Sequence, residues 1–306
     1  MNASAINKFL IVVLGPTAVG KTAFAIDLAR EFETEIISAD SRQFFREMNI
    51  GTAKPSVKEL QQAKHHFINS LSIHDEYNVG MFERDALQTI DTIFKKKNIA
   101  IMAGGSGLYI NAVCNGFDKM PEADSEIRRQ LTHVYQEKGV EFLQNKLREL
   151  DEKYYHMIDL SNPHRLIRAL EVCMATGKKY SDLRKKEIKN RPFTAIKIGL
   201  FVEREQLYKK IDLRVDEMIQ SGLLEEVKSL SDYKHLNALN TVGYKELFDH
   251  LEGQTDLQSA IERIKQHTRN FAKRQLTWFR KEKDIHWFTP IEKEKAVAFL
   301  QKTMID

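Results

Sequence analysis

FLIVVLGPTAVGKTAFAIDLA, Phe9 to Ala29, decides how this chain folds. Phe9–Leu14 is an apolar run rich in β-branched residues and reads as a buried strand. Thr22–Phe32 places Phe24, Ala25, Leu28 and Ala29 at helical spacing. Between them, Gly15, Pro16, Thr17, Ala18, Val19, Gly20, Lys21 and Thr22 fit G-x-x-x-x-G-K-[ST] in the strand-to-helix setting that motif requires. Its glycines let the backbone curl so that successive N–H groups point inward, and the helix N-terminus adds a positive dipole end. Lys21 is then placed to reach the outer phosphates of a ligand, and the Thr22 hydroxyl to hold Mg²⁺. The stretch reads as a phosphate-binding loop.

Working outward, strand and helix patterns alternate. Glu35–Ala39 is a short strand, Phe82–Lys96 carries Phe82, Ala86, Ile90 and Ile93 at a helical period, and Ile99–Ala103 is a buried strand. Lys197–Val202 is a later strand that rejoins the sheet. Short connections of this kind give an α/β fold: a P-loop parallel sheet flanked by helices on both faces. Between 117 and 191 the texture changes to charged amphipathic helices (Ser125–Lys138, Val140–Glu149, His164–Thr176) with no strand. That segment reads as an inserted all-helical module, leaving 1–116 and 192–306 as the catalytic core. From Arg204 onward the chain is helical, ending in a long helix from Leu257 to Lys283, in which Phe271 and Trp278 read as core.

The totals exclude several classes. The chain has 306 residues, 42% hydrophobic and 29% charged, in the range of ordinary soluble proteins. No apolar run approaches the roughly 20 residues of a membrane span. The first apolar run enters the glycine loop instead of a cleavage site, so a core strand is expected and no signal peptide. The two cysteines, Cys114 and Cys173, exclude a disulfide framework and suit a reducing cytoplasm. Net charge is only +4, but Ser259–Lys283 holds eight Lys/Arg against two Glu, a net +6, so the remainder is −2. Positive charge gathered in one C-terminal segment is the footprint of a polyanion-binding face.

A nucleoside-triphosphate enzyme with this loop also needs a carboxylate after a second apolar strand. Ile99–Ala103 runs instead into Gly104-Gly105-Ser106-Gly107. The nearest acid is Asp40, closing the strand in IISAD, at a carboxyl end where open α/β sheets place their ligands. It can serve as a metal-associated group, a general base or a cap for the segment that follows.

The chain resembles the tRNA dimethylallyltransferase family, also called tRNA isopentenyltransferases. The resemblance rests on GPTAVGKT (15–22), ISADSRQ (37–43), IGTAKP (50–55), HH (65–66), GMFERDA (80–86), GGSGLY (104–109), NPHRLIRALEV (162–172), RVDEMIQSGLLEEV (214–227), VGYKE (242–246) and TRNFAKRQLTWFRK (268–281). These blocks cover nearly the whole chain in family order. No cysteine follows Cys173, so the zinc finger appended in eukaryotic relatives is missing and the compact bacterial form is implied. The resemblance implies transfer of a dimethylallyl group from dimethylallyl diphosphate to N6 of adenosine 37 in tRNA, with release of diphosphate. The loop, Lys21, Mg²⁺ on Thr22 and Arg214 then stabilise the leaving diphosphate, and Asp40 is the matched general base. Arg214 has an alternative in an ion pair with Glu217, one helical turn on. Ser106 stands where the family has Thr; it keeps the hydroxyl near the reacting amine and loses the methyl that restricts its rotamer.

The same resemblance implies RNA contacts. Asp40, Ser41, Arg42 and Gln43 grip the extruded adenosine, with the Gln43 amide at a base edge and Arg42 at phosphate, beside Ser106. Arg128 and the block His164, Arg165, Leu166, Ile167 and Arg168 contact the anticodon arm. Lys273, Arg274, Gln275 and Arg280 contact RNA from the terminal helix. A monomeric cytoplasmic enzyme, with tRNA and dimethylallyl diphosphate as its partners and Mg²⁺ as its cofactor, is expected. The alternatives are an adenylate isopentenyltransferase acting on free AMP or ADP, a small-molecule kinase, and a non-catalytic RNA-binding protein. The helical module and the basic terminal helix disfavour the first, and the missing acid after Ile99–Ala103 the second. Intact Lys21, Thr22 and Asp40 disfavour the third.

Overall fold

The Phe9–Leu14 run has no polar face because both of its faces are covered. In the computed structural model, which describes residues 7–118, 120–122, 124–185 and 187–305, all six of its residues are buried. Phe9, Ile11 and Val13 join one hydrophobic cluster, and Leu10, Val12 and Leu14 join another on the opposite side.

In chain order the elements are β1 (Phe9–Leu14), α1 (Lys21–Glu31), β2 (Ile36–Ser38), α2 (Val57–Gln62), β3 (His65–His66), α3 (Val79–Phe94), β4 (Ile99–Gly104) and α4 (Gly107–Asn115). Then come α5 (Ser125–Leu150), α6 (Glu152–Tyr155), α7 (Pro163–Thr176) and α8 (Tyr180–Leu183). The chain continues with β5 (Thr194–Leu200), α9 (Arg204–Gln220), α10 (Leu223–Ser229), α11 (Tyr244–Leu251), α12 (Leu257–Phe279), β6 (Ile285–Phe288) and α13 (Lys293–Ile305). Two short 3₁₀ turns lie between α10 and α11.

The strands form one parallel sheet in the order β3-β2-β4-β1-β5-β6. In the first cluster α1 packs Phe24, Ala25 and Leu28 under β1, with Ala296 and Leu300 of α13 beside them. In the second, Phe82, Ala86 and Ile90 of α3 meet Ile110 and Val113 of α4. Each such buried Val, Leu, Ile or Phe side chain contributes roughly 1.5–3 kcal/mol. A third cluster joins Phe45 and Met48 to Val215, Val227, Leu247 and Ile264, and so ties the segment after β2 to α9, α10, α11 and α12.

The chain divides into two compact units, Met1–Cys114 with Asn190–Asp306, and Asn115–Lys189. The second is all helical around its own core of Leu143, Leu147, Leu166 and Leu170. Its long α5 breaks at Gly139, where φ is 74°, the point at which the sequence pattern also divides. Seven elements lie outside the sequence expectation: α2, β3, α4, α6, α8, β6 and α13. β3 and β6 have only two and four residues, too short for a period to register.

Candidate active site

Because β4 lies between β2 and β1, the carboxyl ends of these three strands sit side by side, where a parallel sheet gathers its ligands. They deliver the Gly15–Thr22 loop from β1, Asp40 from β2, and Gly104–Gly107 from β4. The two loops beyond β2 and β4 are stitched together. Ala39 N–H donates to Ala103 O (2.8 Å), Ser106 N–H to Ala39 O (3.3 Å), and Ser41 N–H to Ser106 Oγ (3.2 Å). This approach requires glycine at 104, since a Cβ there would stand 2.2 Å from Ala39 O. Ser106 therefore acts first on the Asp40–Ser41 turn that it orients.

Asp40 Oδ1 accepts the Arg42 N–H (3.1 Å), a short-range cap that leaves the second carboxylate oxygen unbonded among the described residues. Lys21 is partly buried beside the Asp40 carboxylate, and its amine donates to Pro16 O at 2.7 Å. Desolvation pulls the Lys21 amine down to about 8, with the Arg214 charge adding to the fall and the Asp40 carboxylate opposing it. Arg214, from α9, donates from Nη1 to Thr17 Oγ1 (3.2 Å). Burial lowers its affinity for its proton, and the carboxylates of Asp40, Glu217 and Glu59 counter that. Two cations 193 positions apart in sequence thus bracket the Gly15–Thr22 loop beside one carboxylate.

Two cavities, of about 420 and 660 Å³, meet here. The smaller holds Lys21, Thr22, Lys54, His65 and Glu59; the larger holds Arg42, Ser106, Tyr109, Thr241, Arg274 and Trp278. Thr17, Asp40, Thr52, Ala53, Arg214, Phe271 and Gln275 line both, and so form a neck between them.

Several residues expected at RNA make hydrogen bonds within the protein. The Gln43 amide donates to Thr52 O and Ala53 O (both 3.2 Å) and accepts from Ser38 Oγ (3.3 Å), so both of its N–H groups are used within the protein and only the second lone pair of Oε1 is left. Arg42 donates to Asn237 O (3.1 Å) at the wall of the larger cavity. Gln275 is 7% exposed and bridges Thr17 N–H and Gly105 O, each at 2.9 Å. Within the helical unit, Leu166 and Ile167 lie in the core, leaving only backbone for any outside partner. Arg128 and Arg168 share the buried carboxylate of Glu171, with N–O distances of 2.6 Å each. His164 and Arg165 are exposed.

The basic terminal helix is also narrower than its composition implies. Arg263 pairs with Asp249, Lys265 with Asp216, and Arg269 with Asp212. Lys273, Arg274 and Arg280 are exposed and carry no ion pair among the described residues. Phe271 and Trp278 are 40% and 39% exposed, so the reading of both as helix core is corrected. They line the larger cavity beside Arg274, whose guanidinium sits 5.8 Å from the Phe271 ring.

Sequence reasoning missed Glu226 altogether. It accepts the N–H groups of Asn49 (2.9 Å), Ile50 (2.8 Å) and Gly51 (3.1 Å) together with the Tyr244 hydroxyl (2.7 Å). Burial and the neighbouring carboxylate hold that hydroxyl firmly protonated. Glu226 thereby fixes the loop that carries Thr52 and Ala53 to the neck. No local pattern signals this, because its backbone partners lie about 175 positions away.

A family model described as IPP transferase matches residues 43–282. A tRNA dimethylallyltransferase of Christiangramia forsetii is 54% identical over 291 residues, covering 95% of this chain and 96% of the relative. The tRNA dimethylallyltransferase 1 of Bacteroides thetaiotaomicron is 44% identical over 95% of both chains. Among solved structures, the full-length tRNA isopentenylpyrophosphate transferase of Bacillus halodurans superposes with a TM-score of 0.73 at 34% identity over 97% of both chains. A eukaryotic dimethylallyltransferase acting on tRNA gives 0.77 at 28% identity, covering 93% of this chain and 74% of that one.

Proposed function

The chain belongs to the IPP transferase family and transfers a dimethylallyl group to tRNA, and from that premise we propose how its residues divide the work. The observation that carries the reading is the neck. One carboxylate, Asp40, faces both a cavity floored by the phosphate loop and a cavity rimmed by Arg274 and Trp278. The first takes dimethylallyl diphosphate, and the second takes adenosine 37 splayed out of the anticodon loop.

In the reaction a C–N bond forms between N6 and the allylic carbon while the carbon–oxygen bond to diphosphate breaks. Diphosphate leaves with the bonding pair, and the N6 proton passes to Asp40. Adenine N6 is a weak nucleophile because its lone pair is delocalised into the ring, and a carboxylate that removes the proton as the bond forms is worth about 10²–10⁴-fold. Charge developing on the leaving group is met by loop N–H groups, Lys21 and Arg214. Among the described residues no cluster of three His, Cys, Asp or Glu side chains suits a metal ion. A Mg²⁺ therefore fits as a diphosphate-borne ion with the Thr22 hydroxyl as its protein donor, as expected where Mg²⁺ is held mainly through phosphates and water. When bound, that ion offsets leaving-group charge. We further infer a monomer working in the cytoplasm; no helix among the described residues is long and apolar enough to cross a membrane.

The test is a single-turnover assay with radiolabelled dimethylallyl diphosphate and Mg²⁺, offering unmodified tRNA, the same tRNA with guanosine at position 37, AMP and ADP. Label on the first acceptor alone is expected. Label on the guanosine variant would move the acceptor base elsewhere, and label on AMP or ADP would make free nucleotide the substrate.

A second experiment addresses the RNA face. Lys273→Ala with Arg274→Ala should weaken tRNA binding and reduce the slope of log K against log salt by about 1.5–2, since two phosphate contacts are lost. An unchanged slope would place the phosphate contacts on other residues.

A further inference from the structure

Gln275 lines both cavities, yet its side chain is spent on the protein. Oε1 accepts the Thr17 N–H of the phosphate loop and Nε2 donates to the Gly105 carbonyl, both at 2.9 Å. The amide orientation follows from its partners, because a flipped amide would set donor against donor at Thr17 and acceptor against acceptor at Gly105. The contact is close enough that a Cβ on Gly105 would stand 2.2 Å from Nε2. Beyond Gly105, the chain of bonds runs through Ser106 to Ala39 and Ser41, the residues flanking Asp40.

We propose that Gln275 is a positioning residue that sets the distance between the leaving-group loop and the general base. It clamps the two loops that bracket the reacting atoms from a helix supplied by the far end of the chain, and this role rests on the diphosphate assignment of 15–22. The amide does not contact RNA. Transfer requires the allylic carbon, held through its diphosphate, and N6, held near Asp40, to meet within bonding reach, and small misplacements there are costly.

The two roles open to Gln275, clamp and RNA contact, differ in which kinetic constant they move. Gln275→Glu is isosteric and still accepts from Thr17 N–H, but as a carboxylate it cannot donate to Gly105 O. Its kcat should fall ~10- to 100-fold at neutral pH, with KM for tRNA changed less than about threefold. Lowering the pH protonates the buried glutamic acid, whose O–H then donates to Gly105 O, so its activity relative to wild type should rise. Gln275→Ala, which lacks any donor, should show the same loss of kcat with no such recovery.

A raised KM for tRNA with kcat unchanged in both variants would make Gln275 an RNA contact and overturn the proposal. Lowered thermal stability with wild-type kcat and KM would make it merely structural and overturn it equally. Lys21→Met runs alongside: if that variant keeps a wild-type kcat/KM for dimethylallyl diphosphate, the loop assignment itself fails. A crippled Lys21→Met with wild-type Gln275→Glu rejects the clamp alone.

Discussion

Asp40→Asn should lower single-turnover transfer by about 10²–10⁴-fold while tRNA and dimethylallyl diphosphate still bind. Asparagine is the informative replacement, because its Oδ1 can keep accepting the Arg42 N–H that shapes the 40–43 turn. Only the proton acceptor and its charge are lost. A second consequence follows from Lys21. The Asp40 charge holds the Lys21 amine up against desolvation. Without it the amine should lose its proton at a lower pH than in the wild type, and the alkaline decline of diphosphate binding should start earlier. Binding measured by calorimetry alongside single-turnover rates checks both points. A rate within a factor of about three of wild type would remove Asp40 as the base.

Lys21→Met should reduce kcat/KM for dimethylallyl diphosphate by about 10²–10³-fold, the size associated with removing one donor from a developing anion. Its charge also gives a pH signature. The Lys21 amine sits near 8 instead of 10.5, so in the free enzyme its charge fades as pH rises through 8. The diphosphate needs the charged form, and kcat/KM should therefore fall on that limb. Bound diphosphate favours the ammonium, so the corresponding limb in kcat should lie at higher pH. Stability moves the other way. The folded state holds the proton less tightly than the unfolded chain, so the cost of burying the charge is full below pH 8. That cost is relieved between 8 and 10.5, and this group alone makes folding more favourable there. Lys54, also drawn down to about 8 by burial, lines the same cavity. If the alkaline limb of kcat/KM survives in Lys21→Met, Lys54 or another group carries it.

The division of labour between sequence and tertiary structure is visible in single residues. β1, the glycine loop and α1 were legible from the Phe9–Ala29 stretch alone, because local spacing and backbone chemistry determine them. Asp40 was legible for a related reason: a strand in a parallel sheet must end at the ligand edge, so an acid closing it is a candidate whatever its neighbours. The helical unit was legible from its periodicity, down to the break at Gly139.

Partners were not legible. Arg263, Lys265 and Arg269 read as part of one basic face, and only packing of α12 against α9 and α11 turned them into neutralised pairs. Phe271 and Trp278 carry the same apolar signal as core residues, and which side of α12 faces the cavity is decided by the sheet beneath it. Gln43, Gln275 and Glu226 show the limit most clearly. An amide or carboxylate has the same pattern in sequence whether it meets a base, a solvent molecule or a backbone N–H, and the distinction depends on groups up to 258 positions away. By itself the sequence determined the glycine loop at 15–22, the acid that closes β2 and the family. Only the tertiary structure decided which polar side chains remain free to meet a substrate, because hydrogen-bond satisfaction in a buried site is a property of the assembled neighbours.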